Sequence, residues 1–130
     1  MEVKFNNPTD LRPEGDRVLN APVVKIDLNE YIDQLKDEKT WKEGDRNSIT
    51  VFKSDNTTIV LVAMKKGAVM ERYTVDGMVN IHVLEGKIEL TTPEWSEILR
   101  KGIMVNLHRD IEHQLKSHDR TVFLLNVNTA

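Results

Sequence analysis

Cysteine is absent from the sequence, which excludes disulfides, thiol nucleophiles and cysteine-based zinc sites. Long hydrophobic runs are absent as well, since the apolar segments at residues 59–64 and 123–125 are far too short to cross a bilayer. The N-terminal residues 1–10 hold no apolar stretch of the kind that a signal peptide needs. We therefore expect a cytoplasmic protein in a reducing compartment, with no membrane partner.

Clustered positive charge is the third absence. The 18 Lys and Arg residues are outnumbered by 21 Asp and Glu residues, for a formal net charge of −3. The cations are scattered along the chain rather than gathered into a stripe. Because binding to a phosphate backbone requires clustered cations, the sequence predicts no nucleic-acid partner.

The chain has 130 residues, which is enough for one domain with its own hydrophobic core. Residues 1–21 include Pro8 and Pro13 among many polar residues, and this composition predicts an irregular arm. Within the arm, residues 1–5 are a candidate edge strand, for example on a partner subunit. A further short strand is predicted at residues 23–28.

A short helix is predicted after that strand. Asp27 and Glu30 form a pattern that suits a helix N-cap with a carboxylate three residues on. The apolar residues that follow share one helical face: Tyr31, Ile32 and Leu35. We expect the helix to end near Lys39, before Gly44 breaks the chain.

From residue 47 onward the pattern changes to short strands separated by turn signals such as Asp76-Gly77. This spacing is typical of a β-sandwich or barrel rather than of βαβ units. The predicted strands are 48–53, 57–65, 69–75, 78–84, 87–90, 96–100, 103–107, 112–117 and 121–128. The sequence thus predicts an all-β protein, with an arm, strand and short helix at residues 1–46 packed on a barrel at 47–130.

Alternation along the strands separates an inward face from an outward one. Val79 and Ile81 belong to an apolar inward set, which places His82 on the opposite face, between sheets or at a subunit contact. In the strand near residue 115, the inward set includes His113 and Leu115. A buried imidazole needs partners for its ring nitrogens. His113 is therefore either a core histidine bonded to a tyrosine or to the backbone, or a residue that faces a ligand.

Two spacing patterns resemble those of the cupin superfamily, small double-stranded β-helix barrels of the RmlC-like jelly-roll type. The pattern G-x5-H-x-H-x3-E-x6-G falls on Gly67, Tyr73, Val75, Val79 and Gly86. The pattern G-x5-P-x-G-x2-H-x3-N falls on Gly102, His108, Asp110, His113 and Ser117. The resemblance covers roughly residues 57–128 and implies a cupin barrel with degenerate metal-binding motifs.

In metal-binding members of that superfamily, two His and a Glu of the first pattern and the His of the second hold one metal ion. The matching positions here are Tyr73, Val75, Val79 and His113, and valine has no donor atom. We therefore expect no metal and no other cofactor, because such sites use about three protein ligands or more. A metal-dependent enzyme with non-standard ligands such as His108 or Glu71 is an alternative.

The preferred functional prediction is a small-molecule binding module, because an apolar wall with one or two polar groups is a normal pocket. The predicted wall, suited to a small, partly apolar or anionic ligand, is Tyr73, Val75, Val79, Ile81, His113 and Leu115. Resemblance to metal-independent epimerases implies a second candidate, with His113 as base and Tyr73 as acid. Alternation places Glu71 inward beside Tyr73, so Glu71 is a third candidate catalytic residue.

A role through self-association is the third candidate. Several strands carry apolar residues on both faces, which favours burial on both sides and predicts a homodimer. Trp41 and Trp95 flank the barrel and are expected to cover its ends, while His108 and His118 at strand ends are expected to be solvated.

Overall fold

The computed structural model describes residues 1–129, apart from the side chain of Arg72. Ala130, the last residue of the predicted barrel domain, lies outside the described residues. Two helices and eleven strands follow one another in the described part of the chain: β1 (Lys4–Asn6), β2 (Arg17–Asn20), α1 (Leu28–Asp37), α2 (Lys39–Glu43), β3 (Arg46–Lys53), β4 (Thr57–Met64), β5 (Val69–Tyr73), β6 (Met78–Glu85), β7 (Lys87–Thr92), β8 (Trp95–Arg100), β9 (Met104–Leu107), β10 (His113–Ser117) and β11 (Thr121–Asn128).

The strands after the helices form two antiparallel sheets. One has five strands in the order β3-β4-β11-β6-β9, and the other has four in the order β5-β10-β7-β8. Consecutive strands therefore repeatedly cross from one sheet to the other, as a double-stranded β-helix requires. The predicted all-β barrel with a short N-terminal helix is confirmed, and a second, five-residue helix accompanies the first.

The space between the two sheets is filled by apolar side chains from both. Along β6 the buried residues are Val79, Ile81 and Val83, so the predicted alternation is confirmed. They pack with residues of the opposite sheet such as Ile88 and Leu90, neither of which has exposed surface. The barrel is thus a packed core over most of its length.

A second apolar cluster covers the outer face of the five-stranded sheet. Ile32 and Leu35 of α1 pack with Trp41 of α2 against sheet residues such as Leu61 and Val122. The prediction that Trp41 covers one end of the barrel is therefore wrong, since its side chain is buried between α2 and the outer face of the five-stranded sheet. Trp95, at the start of β8, is 41% exposed.

Helix α1 begins where the capping pattern predicts. The backbone N–H of Glu30 donates to the Asp27 carboxylate over 3.2 Å, and the helical face that carries Ile32 and Leu35 is buried.

The predicted strand at residues 23–28 is wrong. Arg17–Asn20 pairs with Lys4–Asn6 instead, whereas the segment before α1 has no strand partner and Val23 is 86% exposed. Lys4–Asn6 overlaps the predicted edge strand at residues 1–5, but it pairs within its own chain.

The turn positions of the two spacing patterns share an unusual backbone conformation. Gly67, Gly86 and Gly102 have φ values of +88°, +83° and +88°, and Asp110 has +62°. Among the described residues no others have positive φ. Asp tolerates this region better than most side chains, which explains its place in a position where the pattern has glycine.

No helix in the described part of the chain is long and apolar enough to cross a membrane.

Candidate functional site

Tyr73 and His113 face each other on neighbouring strands near one end of the barrel. They are register partners of β5 and β10. Their ring centroids are 4.2 Å apart and the ring planes are tilted by 53°. His113 is only 1% exposed. The two polar residues singled out by the sequence are therefore in direct contact.

The hydrogen bond of His113 determines which ring nitrogen carries the proton. Nδ1 lies 2.8 Å from the backbone carbonyl oxygen of Ile111. A carbonyl only accepts, so Nδ1 must donate, and in the neutral imidazole Nε2 then bears a lone pair. Nε2 is buried and has no hydrogen-bond partner within the described structure. His113 thus presents one unused acceptor.

The phenol of Tyr73 has a buried hydroxyl oxygen, also with no hydrogen-bond partner among the described residues. Burial raises its pKa to about 12, so the phenol is neutral at physiological pH and keeps its proton to donate. An unused donor and an unused acceptor are therefore carried by two rings in contact. Leaving such groups unpaired costs about 1–3 kcal/mol each.

The remaining members of the predicted wall lie inside the barrel with this pair. Val79, Ile81 and Leu115 belong to the inner apolar cluster, and Val75 packs against it. Ile81 and Leu115 have no exposed surface at all. The apolar residues of the predicted wall are therefore packed in the core and form the bottom of the site.

Glu71 is not part of this site, so the prediction that it faces inward beside Tyr73 is wrong. Its side chain is exposed. Between the pairs His113–Tyr73 and Leu115–Met70, β10 advances by two residues and β5 by three. The extra residue makes a β-bulge, which moves the inward position from Glu71 to Met70.

A recess of about 10 Å³ opens beside His113, lined by Thr91, Thr92, Pro93 and Glu112 as well as the imidazole. Sequence reasoning missed the two threonines because the strand there was predicted to end at residue 90. The Pro93-Glu94 turn was the signal that would have extended the predicted strand to residue 92.

A larger groove of about 360 Å³ lies between the arm and the helices, and none of the predicted site residues lines it.

The other histidines lie elsewhere. His82 is half-buried on the outward face of β6, as alternation predicts, and His108 is exposed. His118 was expected to be solvated, but it is about a third exposed and its Nε2 lies 2.7 Å from Oε1 of Glu89. That hydrogen bond lowers the pKa of the Glu89 carboxyl.

In the cupin pattern that this sequence resembles, four positions hold the metal ligands. The side chains that occupy those positions here cannot together coordinate a metal ion. Tyr73 and His113 offer one donor atom each, and Val75 and Val79 offer none. His108 and Glu71 both point to solvent and do not complete the set. Among the described residues there is no group of three or more His, Cys, Asp or Glu side chains placed to hold an ion.

Solved structures, among them two cupin proteins, have the same architecture. A cupin-2 domain-containing protein from Shewanella frigidimarina matches with a TM-score of 0.64 at 12% identity, over 79% of this chain and 93% of that one. A cupin superfamily protein from Desulfitobacterium hafniense matches with a TM-score of 0.63 at 16% identity, over 65% and 78%. A protein of unknown function from Streptococcus pyogenes matches with a TM-score of 0.62 at 21% identity, over 65% and 75%. Comparison of the sequence with protein-family models and with curated proteins found no match.

Proposed function

We propose that this chain, which has the double-stranded β-helix fold of the cupin superfamily, binds a small molecule at the Tyr73–His113 end of its barrel without a metal ion. One observation carries the proposal. A buried hydroxyl and a buried imidazole nitrogen, carried by two rings in contact, have no hydrogen-bond partner in the described structure. A ligand group that donates to Nε2 and accepts from the phenol satisfies both and recovers the free energy lost by burying them unpaired.

The surroundings of the pair support binding at the mouth rather than deep in the barrel. Val79, Ile81 and Leu115 belong to one buried apolar cluster, which forms the floor of the proposed site. Val75, partly buried, contributes apolar surface at the rim. A few convergent polar groups on an apolar wall are the usual composition of a small-molecule site.

Titration followed by NMR of the imidazole nitrogens tests the proposal. With a panel of small sugars, hydroxy acids and keto acids, we expect one class to shift the Nε2 resonance of His113 and to leave that of the exposed His108 unchanged. Tyr73→Phe removes one hydrogen bond to the ligand and should weaken binding about 10-fold. Tyr31→Phe, on α1, is the matched control and should bind as the wild type does.

Two results would count against this function. One is a panel in which no compound moves the His113 resonance at millimolar concentration. The other is a ligand whose affinity is unchanged in Tyr73→Phe and in His113→Gln.

A metal-restoring variant tests the metal-free part of the proposal. Tyr73→His, Val75→His and Val79→Glu together place the ligand types of the first spacing pattern beside His113. We expect this triple variant to bind a divalent transition metal ion and the wild type to bind none at equal free metal concentration, measured by elemental analysis after dialysis. Near-stoichiometric metal in the wild type that is lost in His113→Ala would overturn the metal-free proposal.

Acid–base catalysis by the same pair is the second candidate function. It is favoured by the lone pair on Nε2, which suits a base, and by the neutral phenol beside it, which suits an acid. In this scheme His113 takes the proton from a carbon next to a carbonyl while Tyr73 donates its proton to the oxygen, giving an enol. Deuterium uptake from heavy water into a bound keto compound, abolished by His113→Gln, is the expected result. Binding without any deuterium uptake removes this candidate and leaves the binding module.

A further inference from the structure

A row of four residues crosses the four-stranded sheet at the end that holds the proposed site. Tyr73 pairs with His113 across β5 and β10, and Thr92 pairs with Trp95 across β7 and β8. The register of β10 on β7 makes His113 and Thr92 neighbours, and both line the same small recess. The order across the sheet is therefore Tyr73, His113, Thr92 and Trp95.

Strand geometry places the whole row on the inner face. Leu90 is buried in the inner cluster and lies two residues before Thr92 on β7. Leu99 is buried in the same cluster and lies four residues after Trp95 on β8. Residues an even number apart on a regular strand share a face, so Thr92 and Trp95 face the barrel mouth. Trp95 is 41% exposed because it lies on an edge strand, next to the hairpin turn.

The four side chains offer complementary contacts to one kind of ligand. Tyr73 offers a donor, His113 offers an acceptor, and both are buried and unpartnered in the described structure. The Thr92 hydroxyl donates to the backbone oxygen of Trp95 over 3.3 Å and keeps its lone pairs for a ligand. The indole of Trp95 adds a broad apolar surface. Hydroxyl groups on one edge and a flat apolar face on the other are the features of a sugar ring.

Size and charge narrow the ligand further. A recess of about 10 Å³ is close to the volume that one water or one hydroxyl requires, so the ring itself must lie on the rim. Glu94 lies in the hairpin turn just before Trp95. Glu97 lies two residues after Trp95 on β8, opposite the buried Leu90, and therefore on the same face of the sheet. Two carboxylates near the mouth disfavour an anionic ligand.

We propose that Thr92 and Trp95 complete the ligand site, and that its ligand is an uncharged polyhydroxyl ring of monosaccharide size. This inference rests on the proposed binding function of Tyr73 and His113. One hydroxyl enters the recess, donates to Nε2 of His113 and accepts from the Tyr73 phenol. The ring lies against the indole of Trp95, and Thr92 accepts a hydrogen bond from a second hydroxyl.

Amide and indole NMR on the intact chain tests the inference, with glucose, mannose and galactose as uncharged probes and glucuronate and galacturonate as their charged counterparts. At least one uncharged sugar should shift the indole N–H signal of Trp95 and leave that of the buried Trp41 in place. The matching uronate should bind at least 10-fold more weakly. Thr92→Val and Trp95→Ala should each weaken binding of the uncharged sugar at least 5-fold.

Two matched variants separate this effect from general damage to the hairpin. Ser96→Ala removes an exposed hydroxyl from the outward face of β8, and Ile98→Ala changes an exposed apolar residue on the same face. Both should bind as the wild type does. Loss of binding in these controls equal to that in Thr92→Val and Trp95→Ala would overturn the inference.

The remaining outcomes distinguish the two proposals. If a compound binds with the expected dependence on Tyr73 and His113 but is indifferent to Thr92→Val and Trp95→Ala, the inference fails and the binding function stands. If uronates bind more tightly than the uncharged sugars, the inference fails in the same way. If neither the sugars nor the wider panel moves the His113 or Trp95 signals, both proposals fail.

Discussion

At the scale of single residues, Tyr73 and His113 are placed where they cost the fold free energy. Each keeps a polar atom buried without a hydrogen-bond partner among the described residues. A core of the same shape without these atoms is more stable, since an unpaired buried polar group costs about 1–3 kcal/mol. A loss of stability of this kind is expected of residues whose role is to bind a ligand rather than to stabilise the fold.

Removing the Tyr73 hydroxyl should therefore stabilise the fold while it impairs binding. We expect Tyr73→Phe to raise the free energy of unfolding at pH 7 by about 1 kcal/mol in urea denaturation. Tyr31→Phe serves as the control and should not raise it. A loss of stability in Tyr73→Phe would mean that the hydroxyl has a partner in the folded protein.

The same variant should change the response to alkali. Burial raises the pKa of Tyr73 to about 12 from 10.0, so the unfolded chain releases this proton at lower pH than the folded one. Wild-type stability should therefore fall as pH rises above about 10 and continue to fall until about 12. In Tyr73→Phe this part of the decline should be missing, which denaturation at several pH values between 9 and 12 measures.

Two glycines at turn positions allow the cost of backbone strain to be compared with the cost of a steric clash. Gly86 and Gly67 have nearly the same φ, at +83° and +88°. A Cβ on Gly86 would lie 2.0 Å from the carbonyl oxygen of Arg120, whereas a Cβ on Gly67 meets nothing within 4 Å. Gly67→Ala should cost about 1 kcal/mol for the positive φ alone.

We expect Gly86→Ala to cost at least about 3 kcal/mol, because the turn and the backbone at Arg120 must also move apart. Thermal or urea denaturation of the two variants side by side measures the difference. Equal costs would show that the turn at Arg120 yields to the added methyl group without strain.

At the scale of elements, an ion pair between Arg12 and Glu38 joins the arm to the helices. Arg12 donates to both carboxylate oxygens of Glu38, at 2.9–3.1 Å, and to the backbone oxygen of Ser48 at 2.7 Å. Glu38 lies between α1 and α2, and its side chain is only 9% exposed. A bidentate pair with one partly buried and one buried partner contributes more than a surface ion pair does.

Breaking this pair should loosen the arm and destabilise the helix junction. Arg12→Ala should lower the free energy of unfolding by about 2 kcal/mol, because it leaves the Glu38 carboxylate buried without its cation. Lys42→Ala breaks the exposed pair with Asp37 and should cost less than about 0.5 kcal/mol. Similar costs for the two variants would contradict this account of the arm.

The pair also predicts a dependence on acid. Burial tends to raise the pKa of Glu38, but the hydrogen bonds from Arg12, Asn47 and Gln34 outweigh it and lower the pKa below 4.5. Its contribution to stability is therefore complete above about pH 4.5 and is lost as the pH falls through the lower folded value. Arg12→Ala should flatten this acid-side decline in a series of denaturation curves.

At the scale of the whole molecule, the outer face of the five-stranded sheet is covered unevenly. The helices lie over β3, β4 and β11. On the β6–β9 side Met78 and Met104 are 39% and 54% exposed, and His82 is half-buried. We propose that this side is the contact surface of a homodimer, as the apolar residues on both faces of the strands predict.

The dimer is tested by mass in solution. Light scattering should give twice the chain mass of 15.0 kDa for the wild type. Met104→Glu places a charge on the proposed contact and should give the single-chain mass, whereas Val23→Glu, at an exposed position before α1, should leave the dimer intact. A wild-type mass of one chain would exclude the dimer at the concentrations measured.

Sequence reasoning reached part of the site and missed the rest for identifiable reasons. His113 and Tyr73 were predicted to face one cavity because alternation and the spacing patterns agree there, and the two rings are in contact. Glu71 was assigned to the wrong face because one extra residue in β5 reverses the alternation, and a bulge of this kind leaves no mark in the periodicity. Thr92 was missed because the strand was predicted to end at residue 90, and because the register that places Thr92 beside His113 joins residues far apart in the chain.

The sequence by itself determined the barrel, the capped helix and the lack of metal-donor atoms at most of the metal-binding positions of the spacing patterns. Alternation, capping and the chemistry of single side chains are local properties, so they can be read from the sequence. Only the tertiary structure decided which polar atoms remain without partners, which face Glu71 takes and which residues stand beside His113. These depend on strand register and on a bulge, and both follow from packing between distant segments rather than from any local pattern.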